Sequence, residues 1–269
     1  MSGHRPLRRR AIFAIGAVAF GVLGWSGSSA AQTVNDIVSK GKITIGIIVD
    51  FPPFGFMNAD QKPDGFDVEF ARLIAKNLGV EPELVPVDSA NRVPNLVTKR
   101  VDILVASLGI TPDRAKQVLF TIPYAATVSE VIAPKSKTIK QLSDLSGLTI
   151  GAGRATSNDI FITQFAPKDA QIMRFQGDGA AGQALLSGQV DALAFTNTMA
   201  NELIRNNPQL NLEPKLVLRA QSNGIAVRKD ATELRDWLNV MIYYVKADGE
   251  LDTMYRKWIG GPLPELPVF

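Results

Sequence analysis

The run Gly153-Arg154-Ala155-Thr156-Ser157-Asn158 follows a strand-like stretch and opens a helical one. That placement leaves free backbone N–H groups at the positive end of a helix dipole, a geometry that receives carboxylates. Thr156 or Ser157 would equally serve as the N-cap of the helix, and the two roles are compatible. Arg154 is either a partner for an acidic group on a solute or for a surface carboxylate. Asp50 is either a counter-charge for an ammonium in a cleft or a solvated loop acid. Most other chemistries are closed. The 269 residues contain no Cys and one His, His4, which excludes disulfides, zinc knuckles, cysteine nucleophiles and a histidine triad, metal cluster or base in the folded body. A general acid or base would have to be a carboxylate, a Lys or a Tyr. No Gly-x-x-x-x-Gly-Lys-Ser/Thr loop is present, so any energy from ATP must be supplied elsewhere, and neither a metal nor a cofactor is expected.

The elements that must position these residues alternate between strand and helix. Ile43 to Val49 reads as a strand, and Phe66, Phe70, Leu73, Ile74 and Leu78 recur at helical spacing. Gly79 stops that helix and Glu83 to Val87 resumes extended structure. A short helix from about Asn91 to Lys99 tolerates Pro94 only in its first turn, and a buried strand follows over Val101 to Ala106. A second unit runs through a strand from Leu148, a helix near Ser157 to Phe165, a strand Ala170 to Phe175, a helix Ala180 to Leu186 and a strand Val190 to Phe195. Two βαβαβ units predict two α/β lobes, each a mostly parallel sheet flanked by helices. The connectors Tyr124 to Ala133 and Ala220 to Val227 are extended and apolar, and two helices, about Thr232 to Ala247 and Gly249 to Trp258, close the chain. Two crossing strands make a hinge, and the cleft beneath it is the expected ligand site. The expected division is 32–125 plus 223–269 for lobe 1 and 126–222 for lobe 2. The Pro-rich end, Gly260 to Phe269, is expected to lie extended over a lobe.

The first residues read as an export signal. Arg5, Arg8, Arg9 and Arg10 precede an apolar run from Ala11 to Trp25, and small residues follow to Gln32. The apolar run of about 15 residues falls short of the roughly 20 that a spanning helix needs. Cleavage is expected after Ala31, making 1–31 a signal peptide; a retained anchor is disfavoured because small polar residues follow the run. Arg9-Arg10 also fits a twin-arginine signal, so both export routes stay open. Residues 1–31 hold four Arg and no acid, leaving 25 basic against 26 acidic side chains and a net charge of −1. A nucleic-acid or acidic-membrane partner therefore has no warrant. A soluble periplasmic monomer is expected.

Several segments resemble, in order and spacing, the extracellular solute-binding proteins of family 3, the periplasmic receptors of polar amino-acid ABC importers. They are Asp50-Phe51-Pro52-Pro53-Phe54-Gly55-Phe56, Gly65-Phe66-Asp67-Val68-Glu69, Val101 to Arg114, Phe120-Thr121-Ile122-Pro123-Tyr124, Leu145 to Gly151, Gly188 to Ala192 and Gly224 to Lys229. The resemblance implies a two-lobed type II periplasmic-binding fold and assigns Arg114 as the clamp for a ligand carboxylate. A bidentate guanidinium suits that planar anion. It also places Phe51 as a pocket wall, whereas Phe54 and Phe56 read as core aromatics, and matches Ala155-Thr156-Ser157 to a ligand-binding run. The partners it implies are a small carboxylate-bearing solute, an amino acid or relative, and an inner-membrane ABC permease.

The departures from the family pattern concern the amine. Where the family commonly has a Ser or Thr two residues after Ser107, this chain has Gly109. Where it commonly has an Asp for the α-ammonium, this chain has Thr196, and another acid position falls on Ile48. Burying an ammonium without a carboxylate is costly, so Asp50, or the oxygens of Asn91, Thr196 and Asn197, would have to replace the lost charge. The alternatives to transport are a dehydratase-type enzyme on the same fold and a receptor feeding a membrane sensor.

Overall fold

This computed structural model describes Met1, Gly3 and residues 32–267, so the expected signal peptide and its cleavage point lie outside the described residues. The first helix, α1 (Val34–Lys40), is set by a capping box: the Asp36 N–H donates to the Thr33 hydroxyl, and the Asp36 carboxylate accepts from the Thr33 N–H. Strand β1 (Lys42–Ile47) follows, then a small antiparallel sheet of β2 (Asp50–Phe51), β3 (Gly55–Met57) and β4 (Pro63–Asp64). Helix α2 (Phe66–Leu78) buries the whole apolar stripe read from its spacing, and Gly79, at φ 70°, ends it. Strand β5 (Glu81–Pro86), helix α3 (Arg92–Val97), strand β6 (Ile103–Leu104) and the single turn α4 (Pro112–Ala115) complete the first unit.

The second unit is entered through β7 (Leu119–Pro134). It consists of β8 (Thr149–Gly153), α5 (Ser157–Phe165), β9 (Gln171–Phe175), α6 (Asp178–Leu186), β10 (Ala192–Thr196) and α7 (Asn197–Asn206). Strand β11 (Leu212–Val227) runs back, and α8 (Thr232–Ala247) and α9 (Glu250–Ile259) end the fold. Residues 260–267 form neither helix nor strand, with Leu266 buried.

The main sheet has the order β5-β1-β6-β11-β7-β10-β8-β9. β1 is parallel to β5 and β6, and β8 is parallel to β9 and β10, as the two βαβαβ patterns require. Every antiparallel pair in it involves β7 or β11, two 16-residue strands that run side by side from one half of the sheet into the other. The connectors expected from the sequence are thus longer than their apolar runs. Several elements differ from expectation by a few residues: α3 is shorter than Asn91 to Lys99, β6 keeps only two residues of Val101 to Ala106, β10 starts two residues after Val190, and β1, β5 and α6 are shifted by about two residues at one end. Short parallel strands shed their ends where the neighbouring strand stops pairing.

The core of the first half is aromatic. Phe66 is fully buried, with ring centroids 5.8 Å from Phe54, 6.3 Å from Phe70, 6.1 Å from Tyr124 and 5.4 Å from Tyr255. Phe54 is core as expected; Phe56 is half-buried against Trp258.

Next to Phe66, the fully buried Asp67 accepts hydrogen bonds from Ser107 Oγ at 2.7 Å and Tyr124 OH at 2.9 Å, and the Ser107 N–H donates to Tyr124 OH at 3.2 Å. This triangle holds Ser107 in the left-handed region at φ 46°, a conformation a non-glycine residue keeps only when its surroundings fix it. Burial pushes the Asp67 carboxyl up to about 6 despite both hydroxyl donors.

Candidate functional site

A narrow, mostly polar cavity lies where the parallel strands of both halves end. Carboxyl ends of parallel strands are where open α/β sheets bind ligands, because the loops there are free of the strand ladder. From the first half come Ile48 after β1, Phe51 on β2, Ser89 and Arg92 after β5, and Ser107 after β6. From the second come Thr156, Ser157 and Asn158 after β8, Asp178 after β9 and Thr196 at the end of β10. Thr127 of β7 and Gln221 of β11 line it from the strands that cross between the halves.

Thr156 caps α5, its hydroxyl accepting from the Asp159 N–H at 3.2 Å and donating to the Gly153 carbonyl at 2.8 Å. The capping role expected of this residue therefore coexists with a place in the cavity wall. Ala155, just before it, is left-handed at φ 59°. Its carbonyl accepts from Arg114 Nη2 at 2.9 Å. Arg114 Nη1 donates to the Gly109 carbonyl at 2.8 Å and to Ser157 Oγ at 3.2 Å. Arg114 thus ties the first half of the sheet to the second, directly behind a lining residue. Among the described residues its guanidinium has no carboxylate partner; burial, with repulsion from Arg92 second, lowers its pKa to about 9.

Arg92 is a second buried guanidinium and lines the cavity. It donates only to carbonyls, Ser89 O at 3.2 Å and Ala106 O at 2.9 Å, and burial lowers its pKa. Facing these cations are two acids. Asp50 approaches Gly177, the glycine at φ 86° that starts α6, and burial raises its carboxyl. Asp178 is 3% exposed, and its carboxyl is pushed up to about 7, by burial first and by the charge of Asp50 second. Asn158 links Asp178 to β10 and β7, with Nδ2 donating to Asp178 Oδ1 at 3.4 Å and Thr196 Oγ1 at 3.2 Å while its Oδ1 accepts from Ser129 Oγ at 2.6 Å. Gly153 makes room for this arrangement: a Cβ there would stand 2.8 Å from Asp178 Oδ1 and 2.9 Å from the Asp178 nitrogen.

Among the described residues no ion pair within 4.0 Å involves Arg92, Arg114, Asp50 or Asp178. Two lining atoms, Ser89 Oγ and Gln221 Oε1, are buried without a hydrogen-bond partner. Buried charges and polar atoms are ordinarily paired, and these charges have hydrogen bonds to neutral groups but no ion-pair partner among the described residues.

The raised Asp178 carboxyl has a consequence for stability. The folded state binds this proton more tightly than the unfolded state, whose carboxyl titrates near the ordinary 3.8, so its contribution is fully present below that value and lost as pH rises to about 7. Asp178→Asn removes that loss. Urea titrations of the unliganded protein are expected to show the variant gaining stability relative to the unaltered chain across this interval. A difference independent of pH would contradict the placement of Asp178.

Of the residues singled out from the sequence, Phe51, Ser107, Thr156, Ser157 and Thr196 line the cavity, Arg114 and Gly109 stand behind Ser157, and Asp50 stands beside Gly177. Two are not brought there. Asn91 is exposed, its side-chain amide held by Asp88 Oδ2 at 2.8 Å, and Arg154 sits exposed on the turn before α5. In each case local turn geometry aims the side chain at solvent. Sequence reading missed Arg92, Ser89, Gln221 and Asp178 and gave Asn158 only a place in the backbone run that opens α5; the only signal for Asp178 was its position after a strand, in Gly177-Asp178-Gly179 at a helix start.

The family described as bacterial extracellular solute-binding proteins, family 3, matches residues 43–261. The L-cystine-binding protein TcyJ of Escherichia coli (strain K12) is 30% identical over 258 residues, covering 94% of this chain and 96% of that protein. ABC transporter arginine-binding protein 1 of the same strain is 30% identical over 236 residues, covering 86% and 93%. Among solved structures, a solute receptor for L-cysteine of Neisseria gonorrhoeae superposes with a TM-score of 0.79 at 34% identity, covering 84% of this chain and 93% of that one. No helix among the described residues is long and apolar enough to cross a membrane.

Proposed function

The chain belongs to the bacterial extracellular solute-binding proteins of family 3, and from that membership we propose that it is a periplasmic receptor for a small carboxylate-bearing solute, an amino acid or relative. The observation that carries this reading is the charge around the cavity: Arg92 lines it and Arg114 stands directly behind its wall residue Ser157, both guanidinium groups buried and neither bonded to a carboxylate among the described residues. A carboxylate entering it would take over the Arg114 donors now given to Ser157 Oγ and the Ala155 carbonyl.

Residues 32–125 with 223–269 act in this reading as one lobe and 126–222 as the other. They open and close about β7 and β11, where register shifts at Asn223/Gly224 and Gly224/Ala226 interrupt the ladder. Closure brings Arg114 of one lobe against Ala155 and Ser157 of the other, and the closed form hands its solute to an inner-membrane ABC permease. The relatives named above are binding proteins, which does not favour the dehydratase alternative.

A thermal-shift panel of amino acids, amine-free acids and small di- and tricarboxylates tests the reading. A solute at about 100 times its Kd should add about 2.7 kcal/mol of stability. If no carboxylate raises the midpoint, the receptor reading fails; if one is converted to product on incubation, the enzyme reading replaces it.

A further inference from the structure

We propose that Asp178 is the ammonium acceptor of this cavity, so that the solute is an α-amino acid and not an amine-free acid. The inference rests on the receptor reading above and goes beyond it by assigning the amine. At the family's usual position for that carboxylate this chain has Thr196, which cannot balance a charge. The structure supplies a carboxylate from another element. Asp178, at the start of α6, reaches the same wall of the cavity and is linked to the Thr196 hydroxyl through the single amide of Asn158.

Three observations argue that Asp178 is held for a cation from outside. It is 3% exposed and lines the cavity, yet its one hydrogen bond is a 3.4 Å contact from a neutral amide. A structural buried carboxylate would be expected to collect several donors, as Asp67 does with Ser107 and Tyr124 in the same protein. Second, Gly153 is a cradle for it, since any Cβ there would press on the Asp178 carboxylate and nitrogen. Third, the groups that face it are Asp50 from β2, Arg92 from α3 and Asn158 from α5. The one cation among them is committed to the carbonyls of Ser89 and Ala106. The guanidinium that bridges to the second half, Arg114 behind Ser157, is thus the anion-receiving group in this reading, and Asp178, with the charge of Asp50 nearby, the cation-receiving one. That is the charge pattern of a zwitterion.

A proton and an ammonium compete for this carboxyl. Burial and Asp50 bring its pKa to about 7 in the unliganded protein, and an ammonium beside it favours the charged form. Binding of an α-amino acid is thus expected to release protons near neutral pH and to weaken as pH falls.

Isothermal titration of the purified protein with matched pairs tests this: L-cysteine with 3-mercaptopropanoate, L-glutamine with 4-carbamoylbutanoate and L-arginine with 5-guanidinopentanoate. The expected result is that the amino acid of a pair binds and its des-amino partner binds at least about tenfold more weakly. Asp178→Asn, which keeps the shape, is expected to lose about 10- to 100-fold for the amino acid and little for the des-amino acid, in line with a charge-assisted hydrogen bond. Titration of the unaltered protein in two buffers of different ionisation heat reads the proton release independently of any variant's folding. Equal affinity for both members of a pair, a loss in Asp178→Asn within about threefold, or no proton release near pH 7 overturns the assignment while the receptor reading stands. Failure of every carboxylate to bind overturns the receptor reading and this assignment together.

Discussion

Replacing Arg114 by Ala is expected to weaken carboxylate binding by about 30-fold to several thousandfold, the range for removing one partner of a buried hydrogen-bonded charge pair at about 2–5 kcal/mol. The guanidinium is the group that reaches from the Gly109 carbonyl on one half of the sheet to Ser157 and Ala155 on the other. Truncation removes both the anion's partner and the link across the cavity. Arg114→Lys keeps the charge without the planar fork and should fall between the two. The fold itself should tolerate the change, because burial already disfavours this cation, as its lowered pKa of about 9 records. Calorimetric titration with the best solute of the thermal-shift panel reads the effect, beside a melting curve of the unliganded variant. An affinity within about threefold of the unaltered protein would remove Arg114 from the site.

The largest effect on stability is expected from Phe66→Ala. Phe66 is fully buried among Phe54, Phe70, Tyr124 and Tyr255, and no rearrangement of four rings can fill the space it leaves. Large-to-small changes of this kind cost about 3–5 kcal/mol, the lost burial plus the cavity. For a folded part of this size that corresponds to a fall in Tm of roughly 6–20 °C. The loss reaches the site as well, because Tyr124, stacked on Phe66, holds Asp67 and the Ser107 backbone. Urea denaturation of the unliganded protein measures it. A cost below about 1.5 kcal/mol would show that this aromatic cluster is less tightly packed than its ring spacings state.

What the sequence made legible follows from the range of the signal. The stripe of α2 is local, repeating within one helix, and every residue read into it is buried. The two βαβαβ patterns likewise gave the parallel pairs of each half, and the extended apolar runs located β7 and β11. Their full length and antiparallel pairing were not legible, because polar positions such as Glu213, Lys215 and Arg219 break the apolar pattern along β11.

The site divides in the same way. Arg114, Ser157 and Phe51 came from motif segments whose loops stand at strand ends. Asp178 and Arg92 acquire their meaning only when the loops after β9 and β5 meet at one cavity, a relation between residues more than 80 positions apart in the chain. Asn91 and Arg154 show the converse. Each lies next to a site residue in sequence, but Asp88 holds the amide of the first, and the left-handed turn at Ala155 accompanies the exposure of the second.

A crystal structure of the protein grown with the amino acid that gives the largest thermal shift tests the central claim most directly. The account predicts the solute between the two halves of the sheet, its carboxylate at about 2.7–3.2 Å from Arg114 or Arg92 nitrogens. A solute bound outside this cavity, or one whose carboxylate meets neither guanidinium, would contradict it.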